Sequence, residues 1–388
     1  MDLPSIRRLA VRDITPNVLQ ALIDHGEDLV VERKRQPPSP PSFGAVAASF
    51  ANTIGGLILL GVNDDKTIHG WDVPPRTDLQ SHLGQLLRAQ TDPLPPFVAE
   101  PVELDGKTVV VMRVFESADA PHLVRGTGAL YTRTSSGKVP VDDQRMLLEL
   151  AQRGRDAHRS AWGRLNEPLV RSGLLDPDQA RAHSGDDTHT LQITFRATPV
   201  TVPPSFTRWS ISRAGAAWAS ATAATIAPDA ARTWAAQSPP AKLESSLDPQ
   251  SRGIVARNVA THPFKGFSLC DSTAVADAAG RLGCALRRRY EPGYTSIPMR
   301  ELEDVVSSML QRVEKGLCDS EVVGRAVCRM NIYLPTQSGL VEQRREAQRL
   351  TWVDGEITSP ADADELHEHL QTWMREYARS CGLERWEG

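Results

Sequence analysis

Two glutamates five positions apart precede a lysine by two, at Glu27, Glu32 and Lys34, and Asp64 follows at the end of an apolar run. Alternate side chains of a strand share a face. A strand over Leu29–Lys34 therefore sets Glu32 beside Lys34 and Val30, with Leu29, Val31 and Arg33 on the other side. Glu27 comes just before it, after the Gly26 breaker. Asp64 closes the apolar strand Leu57–Val62, at the end where open α/β sheets present ligands. Three carboxylates and an ammonium at one sheet edge suit a hard divalent cation, Mg²⁺ or Mn²⁺, which takes carboxylate oxygens. A metal so held binds a phosphodiester, activates water and stabilises developing charge, with Lys34 facing the phosphate. Without metal, crowded carboxylates repel, which predicts at least one raised pKa. The same residues also suit binding without turnover, or a solvated strand end carrying a weak surface ion pair.

Other residues bear on the same chemistry. Arg33, Arg35, Arg125 and Arg133 are candidate phosphate contacts of the kind that position a nucleic-acid backbone, and charged strand edges also serve to block edge pairing. Asn52, Gly55 and Gly56 read as a structural turn, the asparagine tightening it and the glycines accepting positive φ or close packing. No lysine of the Walker type follows that Gly-Gly pair, so it is not read as a phosphate cradle. Arg287-Arg288-Arg289-Tyr290, with Tyr294, mixes charge and rings as single-strand binders do, though a surface loop explains it more simply. His367 and His369 are two apart on a helix and diverge.

The elements that must hold these residues follow from breakers and periodicity. Thr15-Pro16 opens a helix to about Asp24. After the strand comes the breaker-rich segment 36–42, then a small-residue helix from Phe43 to Ala51. Asn52–Gly56 turns into Leu57–Val62, whose unbroken apolar character marks a strand covered on both faces. A helix near Asp78–Gln90 follows, then a hairpin of Val98–Leu104 and Thr108–Phe115 turned at Asp105-Gly106. The strand Ala129–Thr134 and the helix Asp142–Arg153 close an α/β unit.

Beyond Arg155 the composition changes. Residues 156–182 read as helical, 190–202 as a strand or two, and the Ala-rich tract 214–238 as helix, with Trp218 and Trp234 favouring burial. Val327–Leu334 reads as a strand, and Arg300–Lys315 and Asp362–Arg379 as amphipathic helices. The expected organisation is an N-terminal domain at 1–155 and an α+β domain at 156–388.

A chain of 388 residues with net charge −4 suits two domains, and nucleic acid would need a local basic patch. Its five cysteines are widely spaced, without a C-x-x-C pair, which excludes a zinc knuckle or disulfide framework. The start lacks an apolar h-region and no run reaches the length of a membrane span. The expectation is a reduced cytoplasmic protein.

The run Glu27-Asp28-Leu29-Val30-Val31-Glu32-Arg33-Lys34 resembles the motif of the Schlafen/AlbA-like family. Ala51-Asn52-Thr53-Ile54-Gly55-Gly56, the strand after it and Gly61-Val62-Asn63-Asp64 are similar to the family's "ANTxGG"–strand–"GVxD" signature. His69-Gly70, Asp92-Pro93, Pro121-His122 and Leu130-Tyr131-Thr132-Arg133 recur downstream in the family's order. The resemblance covers about the first 155 residues and implies a mixed sheet flanked by helices that handles nucleic acid, RNA rather than DNA. In the family's ribonucleases the corresponding residues are the metal-dependent cutting site, which by motif match are Glu27, Glu32 and Asp64 with Lys34 nearby. One position departs: Arg33 stands where the family places an aromatic residue. Some members join two such units into a clamp. One is visible here, which leaves a homodimer, or binding without cutting. The readings carried forward are a divalent-metal-dependent endoribonuclease of tRNA or other structured RNA, and a binding or regulatory module whose C-terminal domain senses a ligand or partner, in a defence or stress role.

Overall fold

The computed structural model describes residues 2–37, 39–71, 78–167, 190–226, 242–250, 252–261, 268–289, 299–333 and 351–380. The chain divides into two compact units, Met1–Ser160 with Pro203–Ser205, and Ala161–Val202 with Phe206–Gly388.

In the first unit α1 (Leu3–Arg7) and α2 (Pro16–His25) precede β1 (Val31–Lys34), α3 (Pro40–Ala51) and β2 (Gly56–Leu60). Thr15 caps α2 through its side chain, and Gly26 ends it at φ 92, where L side chains are disfavoured. The breaker-rich segment is shorter than its composition suggests. Pro40 and Pro41 take the first positions of α3, where a missing N–H costs nothing. Next come α4 (Leu79–Arg88), β3 (Thr91–Asp92), β4 (Phe97–Leu104), β5 (Lys107–Val114), β6 (Leu123–Val124), β7 (Ala129–Thr134), β8 (Gly137–Pro140) and α5 (Gln144–Asn166).

The main sheet has the order β1-β2-β5-β4, with β1 and β2 parallel and the other pairs antiparallel. It is a mixed sheet flanked by helices. One face packs Ile58, Leu60, Val110 and Met112 on Phe43, Val46, Ala47 and Phe50 of α3 and Leu83 and Leu87 of α4. The other packs Val31, Leu57, Leu59 and Val111 on Leu19, Leu22 and Ile23 of α2. β2 is buried along its whole length, as its apolar run implies. A second sheet, β3-β6-β7-β8, contains the short strands that no periodicity announces.

The second unit is a seven-stranded antiparallel sheet. In chain order its strands are β9 (Thr190–Pro199), β10 (Lys242–Gln250), β11 (Gly253–Thr261), β12 (Ser268–Asp277), β13 (Arg281–Arg289), β14 (Gly324–Tyr333) and β15 (Thr351–Ser359). Among the described residues its helices are α6 (Pro204–Ser210), α7 (Arg213–Thr225), α8 (Met299–Asp319) and α9 (Ala363–Ser380). Trp218 of the Ala-rich tract is buried, and its Nε1 donates to Arg312 O at 2.7 Å; Trp234 lies outside the described residues. Arg287–Arg289 belong to β13 rather than to a surface loop, and Tyr290 and Tyr294 lie outside the described residues. Among the described residues Cys270, Cys284, Cys318 and Cys328 form no disulfide. Among the described residues no helix is long and apolar enough to cross a membrane.

Candidate functional site

β1 is the edge strand of its sheet, and side chains occupy that edge. Its inner groups join the ladder, with Val30 O and Lys34 O accepting from Leu57 N at 2.7 Å and Gly61 N at 2.8 Å. On the outer side Glu27 Oε1 accepts from Arg33 N at 2.9 Å, and Lys34 Nζ donates to Arg33 O at 2.9 Å. Asp28 Oδ1 accepts from Val30 N and Val31 N at 2.8 and 2.9 Å, fixing the turn into the strand. Polar side chains thus satisfy backbone groups that would otherwise template another strand.

Glu32 and Lys34 share a face, as strand alternation requires, with Lys34 Nζ 2.6 Å from Glu32 Oε1 and 3.8 Å from Glu27 Oε1. The second oxygen of Glu32 accepts from Arg133 Nη2 of β7 at 2.7 Å. That nitrogen also donates to Asp28 O at 2.9 Å, and the guanidinium lies 4.0 Å from the centroid of the Phe50 ring. The Arg133 side chain is 1% exposed. Its Nε and Nη1 have no hydrogen-bond partner, and the adjacent ring face offers them an electrostatic contact instead. Burial pushes the Glu32 carboxyl up, but the hydrogen bonds and charges of Lys34 and Arg133 outweigh it and hold the group below its ordinary value. The raised carboxylate predicted from crowding is not found at Glu32, because cations rather than carboxylates surround it.

Asp64 makes no hydrogen bond or ion pair with Glu27, Glu32 or Lys34. It is exposed on the turn after β2. Its neighbour Asp65 feels the charge of Arg33, and Lys66 donates to Asp24 O of α2 at 2.8 Å. Arg33 pairs in register with Leu59, on the α2 side of the sheet, and is 6% exposed with Nε and Nη1 unpartnered. Of the four candidate phosphate contacts, Arg33 and Arg133 are buried, and Arg35 is exposed. Arg125 is half exposed, donating to Thr91 O at 2.9 Å with Asp92 3.4 Å away.

A divalent metal needs oxygens free to coordinate it. Both Glu32 oxygens are engaged by cations, and one Glu27 oxygen is held by a backbone amide. Among the described residues no group of three or more His, Cys, Asp or Glu side chains is placed to hold a metal ion. As arranged, these residues do not fit a bound Mg²⁺ or Mn²⁺.

Asn52 does more than tighten its own turn. Its amide donates to His122 O at 3.0 Å and Tyr131 O at 2.9 Å and accepts from His122 N at 2.8 Å, tying α3 to β6 and β7. Gly55 has φ +72, and a Cβ there would lie 2.7 Å from Val114 O. At Gly56 a Cβ would lie 2.2 Å from the Phe50 ring that supports Arg133. Close packing explains both.

Lys138, Ser42 and Tyr131 were not among the sequence candidates. Lys138 faces Arg133 across the β7–β8 hairpin. Its Nζ lies 3.4 Å from Ser42 Oγ and 5.8 Å from the Tyr131 ring centroid. The available signal was alternation, since Tyr131 and Arg133 are two apart on one strand and share a face.

The model of the family described as Schlafen, AlbA_2 matches residues 27–142. A solution NMR structure of the N-terminal domain of an ATP-dependent DNA helicase RecG-related protein from Nitrosomonas europaea aligns at 21% identity, with a TM-score of 0.25. The alignment covers 34% of this chain and 93% of that one. Among curated proteins none matches. The family match spans β1, α3, β2 and the β7–β8 hairpin, the elements that assemble the Glu32 cluster, and it is over residues 27–142 that this chain is similar to a Schlafen, AlbA_2 domain.

Proposed function

We propose that the N-terminal unit binds nucleic acid, RNA in preference to DNA, through phosphate contacts on the face of Glu32 and Lys34, without a resident metal. The observation that carries this reading is the charge balance there. Lys34, Arg133 and Lys138 gather about Glu32, and Glu27 adds one further carboxylate beside Lys34. An acidic chain needs such a local excess of cations to hold a polyanion. The family's association with nucleic acid supports the same polymer class. The test is titration of labelled RNA and DNA strands with the full chain at several salt concentrations. Binding that weakens steeply with salt supports the reading, and no binding at low salt contradicts it.

The second reading is a divalent-metal-dependent endoribonuclease using Glu27, Glu32, Asp64 and Lys34. The meeting of Glu27, just before β1, with Glu32 and Lys34 on that strand favours it. Engagement of both Glu32 oxygens, and the lack among the described residues of a group of three or more side chains placed to hold a metal, weigh against it. Strand cleavage that requires Mn²⁺ or Mg²⁺ and is lost in Glu32→Ala would establish this reading over the first.

A further inference from the structure

The β7–β8 hairpin carries a second group of residues beside the Glu32 cluster. Lys138 is exposed and pairs in register with Arg133, while Tyr131 lies two residues before Arg133 and shares its face. The Lys138 ammonium sits within hydrogen-bond reach of Ser42 Oγ, at 3.4 Å, and 5.8 Å from the Tyr131 ring centroid. Among the described residues it forms no ion pair with a carboxylate.

Ser42 stands in the first turn of α3, a helix of 12 residues. Pro40 and Pro41 precede it and have no amide hydrogen, while Phe43 N already bonds Ser39 O at 3.0 Å. The Ser42 amide is therefore the first-turn N–H left without a helical acceptor. Ser39 makes no capping bond and the first turn has no acidic residue, so nothing local offsets the positive end of the helix. Partial burial of its ammonium lowers the Lys138 pKa, and Lys34 and Arg133 add to that against the opposing pull of Glu32. An arriving anion would relieve this repulsion.

We propose that Ser42, Lys138 and Tyr131 form a subsite for one nucleotide of a single-stranded nucleic acid. The phosphate lies between Lys138 and the Ser42 end of α3, and the base packs on the Tyr131 ring. This rests on the nucleic-acid reading above and specifies its substrate. A ring reaches a base face only where the base is unstacked, so the subsite selects single strands over duplex.

The test measures anisotropy of a labelled single-stranded oligonucleotide, and of its duplex, with the full chain in EDTA. Lys138→Gln should remove one phosphate contact, lowering the slope of log affinity against log salt by about 0.7 and weakening binding roughly fourfold near 0.15 M salt. Tyr131→Leu should weaken single-strand binding by about fivefold to a hundredfold, with little change on duplex, while Tyr131→Phe stays near wild type. Lys66→Gln, on the turn that contacts α2, should bind like wild type. Melting temperatures show whether each variant is folded, and the exposed position of Lys138 keeps its arm independent of the core. If wild type binds single strands and both Lys138→Gln and Tyr131→Leu stay within twofold of it, the subsite is overturned and the nucleic-acid reading stands. If wild type binds no strand at any salt, both fall.

Discussion

Glu32 and Arg133 are separated by 101 residues and meet at 2.7 Å, with the arginine side chain 1% exposed. The carboxylate that looks like a metal ligand is the counter-ion of a buried guanidinium. Removing one partner of a buried pair leaves an uncompensated charge and costs about 3–5 kcal/mol. Glu32→Ala should therefore lower stability by roughly 2–4 kcal/mol, the smaller figure allowing for Lys34 and partial solvent access. Urea denaturation reads this as a drop in midpoint. A variant as stable as wild type, which relief of carboxylate repulsion would give, contradicts the assignment.

Acid stability should fall in two windows. The folded Glu32 value lies below its ordinary 4.5, so its contribution is present above that pH and is lost as pH falls through the lowered value. His122 is held below its ordinary 6.5, chiefly by burial. The unfolded chain takes up that proton first, so stability declines as pH falls from 6.5 toward the lowered value. Denaturation midpoints at stepped pH should show both windows. Glu32→Gln should flatten the lower one and His122→Gln the upper.

Asn52→Ala should cost about 2–4 kcal/mol. It removes bonds to His122 N, His122 O and Tyr131 O in a position that is 1% exposed, and leaves backbone groups unpaired. Denaturant titration checks it. A change below about 0.5 kcal/mol would mean that water replaces the amide, and that the tie between α3 and the β6–β7 strands is not held by this side chain.

Gly56→Ala should destabilise by displacing the Phe50 ring, 2.2 Å from the new Cβ, and with it the support under Arg133. The expected loss is about 1–3 kcal/mol, the range for overpacking a filled core. Phe50→Leu in the same background should recover part of it by making room. Thermal melts of the single and double variants measure the coupling, and additive losses would show that the ring is not what the methyl meets.

Much of the N-terminal unit was legible because its boundaries are written in local chemistry. Thr15-Pro16, Gly26, Asp105-Gly106 and the apolar run of β2 each act within a few residues. The strand alternation that joins Glu32 to Lys34 is local too. What eluded the sequence depends on distant partners. Arg33 and Arg133 read as surface phosphate contacts because an arginine is usually exposed. Their burial depends on the fold, which for Arg133 supplies Phe50 and Glu32. Asn52 read as a turn residue because its acceptors lie 70 and 79 positions away. Asp64 reads as a third ligand because strand ends gather ligands, and on its turn Lys66 bonds Asp24 O of α2. In the second unit, strands such as Arg281–Arg289 and Ser268–Asp277 are rich in Arg, Ala and Ser and lack the β-branched signature that would have announced them.

The account turns on whether this domain holds nucleic acid through its own cations with no metal. The most direct measurement is the affinity of the full chain for a labelled single-stranded RNA in EDTA and again in Mn²⁺, with the strand recovered afterwards on a denaturing gel. Equal, salt-sensitive affinity in both conditions and an intact strand is the predicted result. Absence of binding in EDTA, or cutting in Mn²⁺ that Glu32→Ala abolishes in a folded chain, would contradict it.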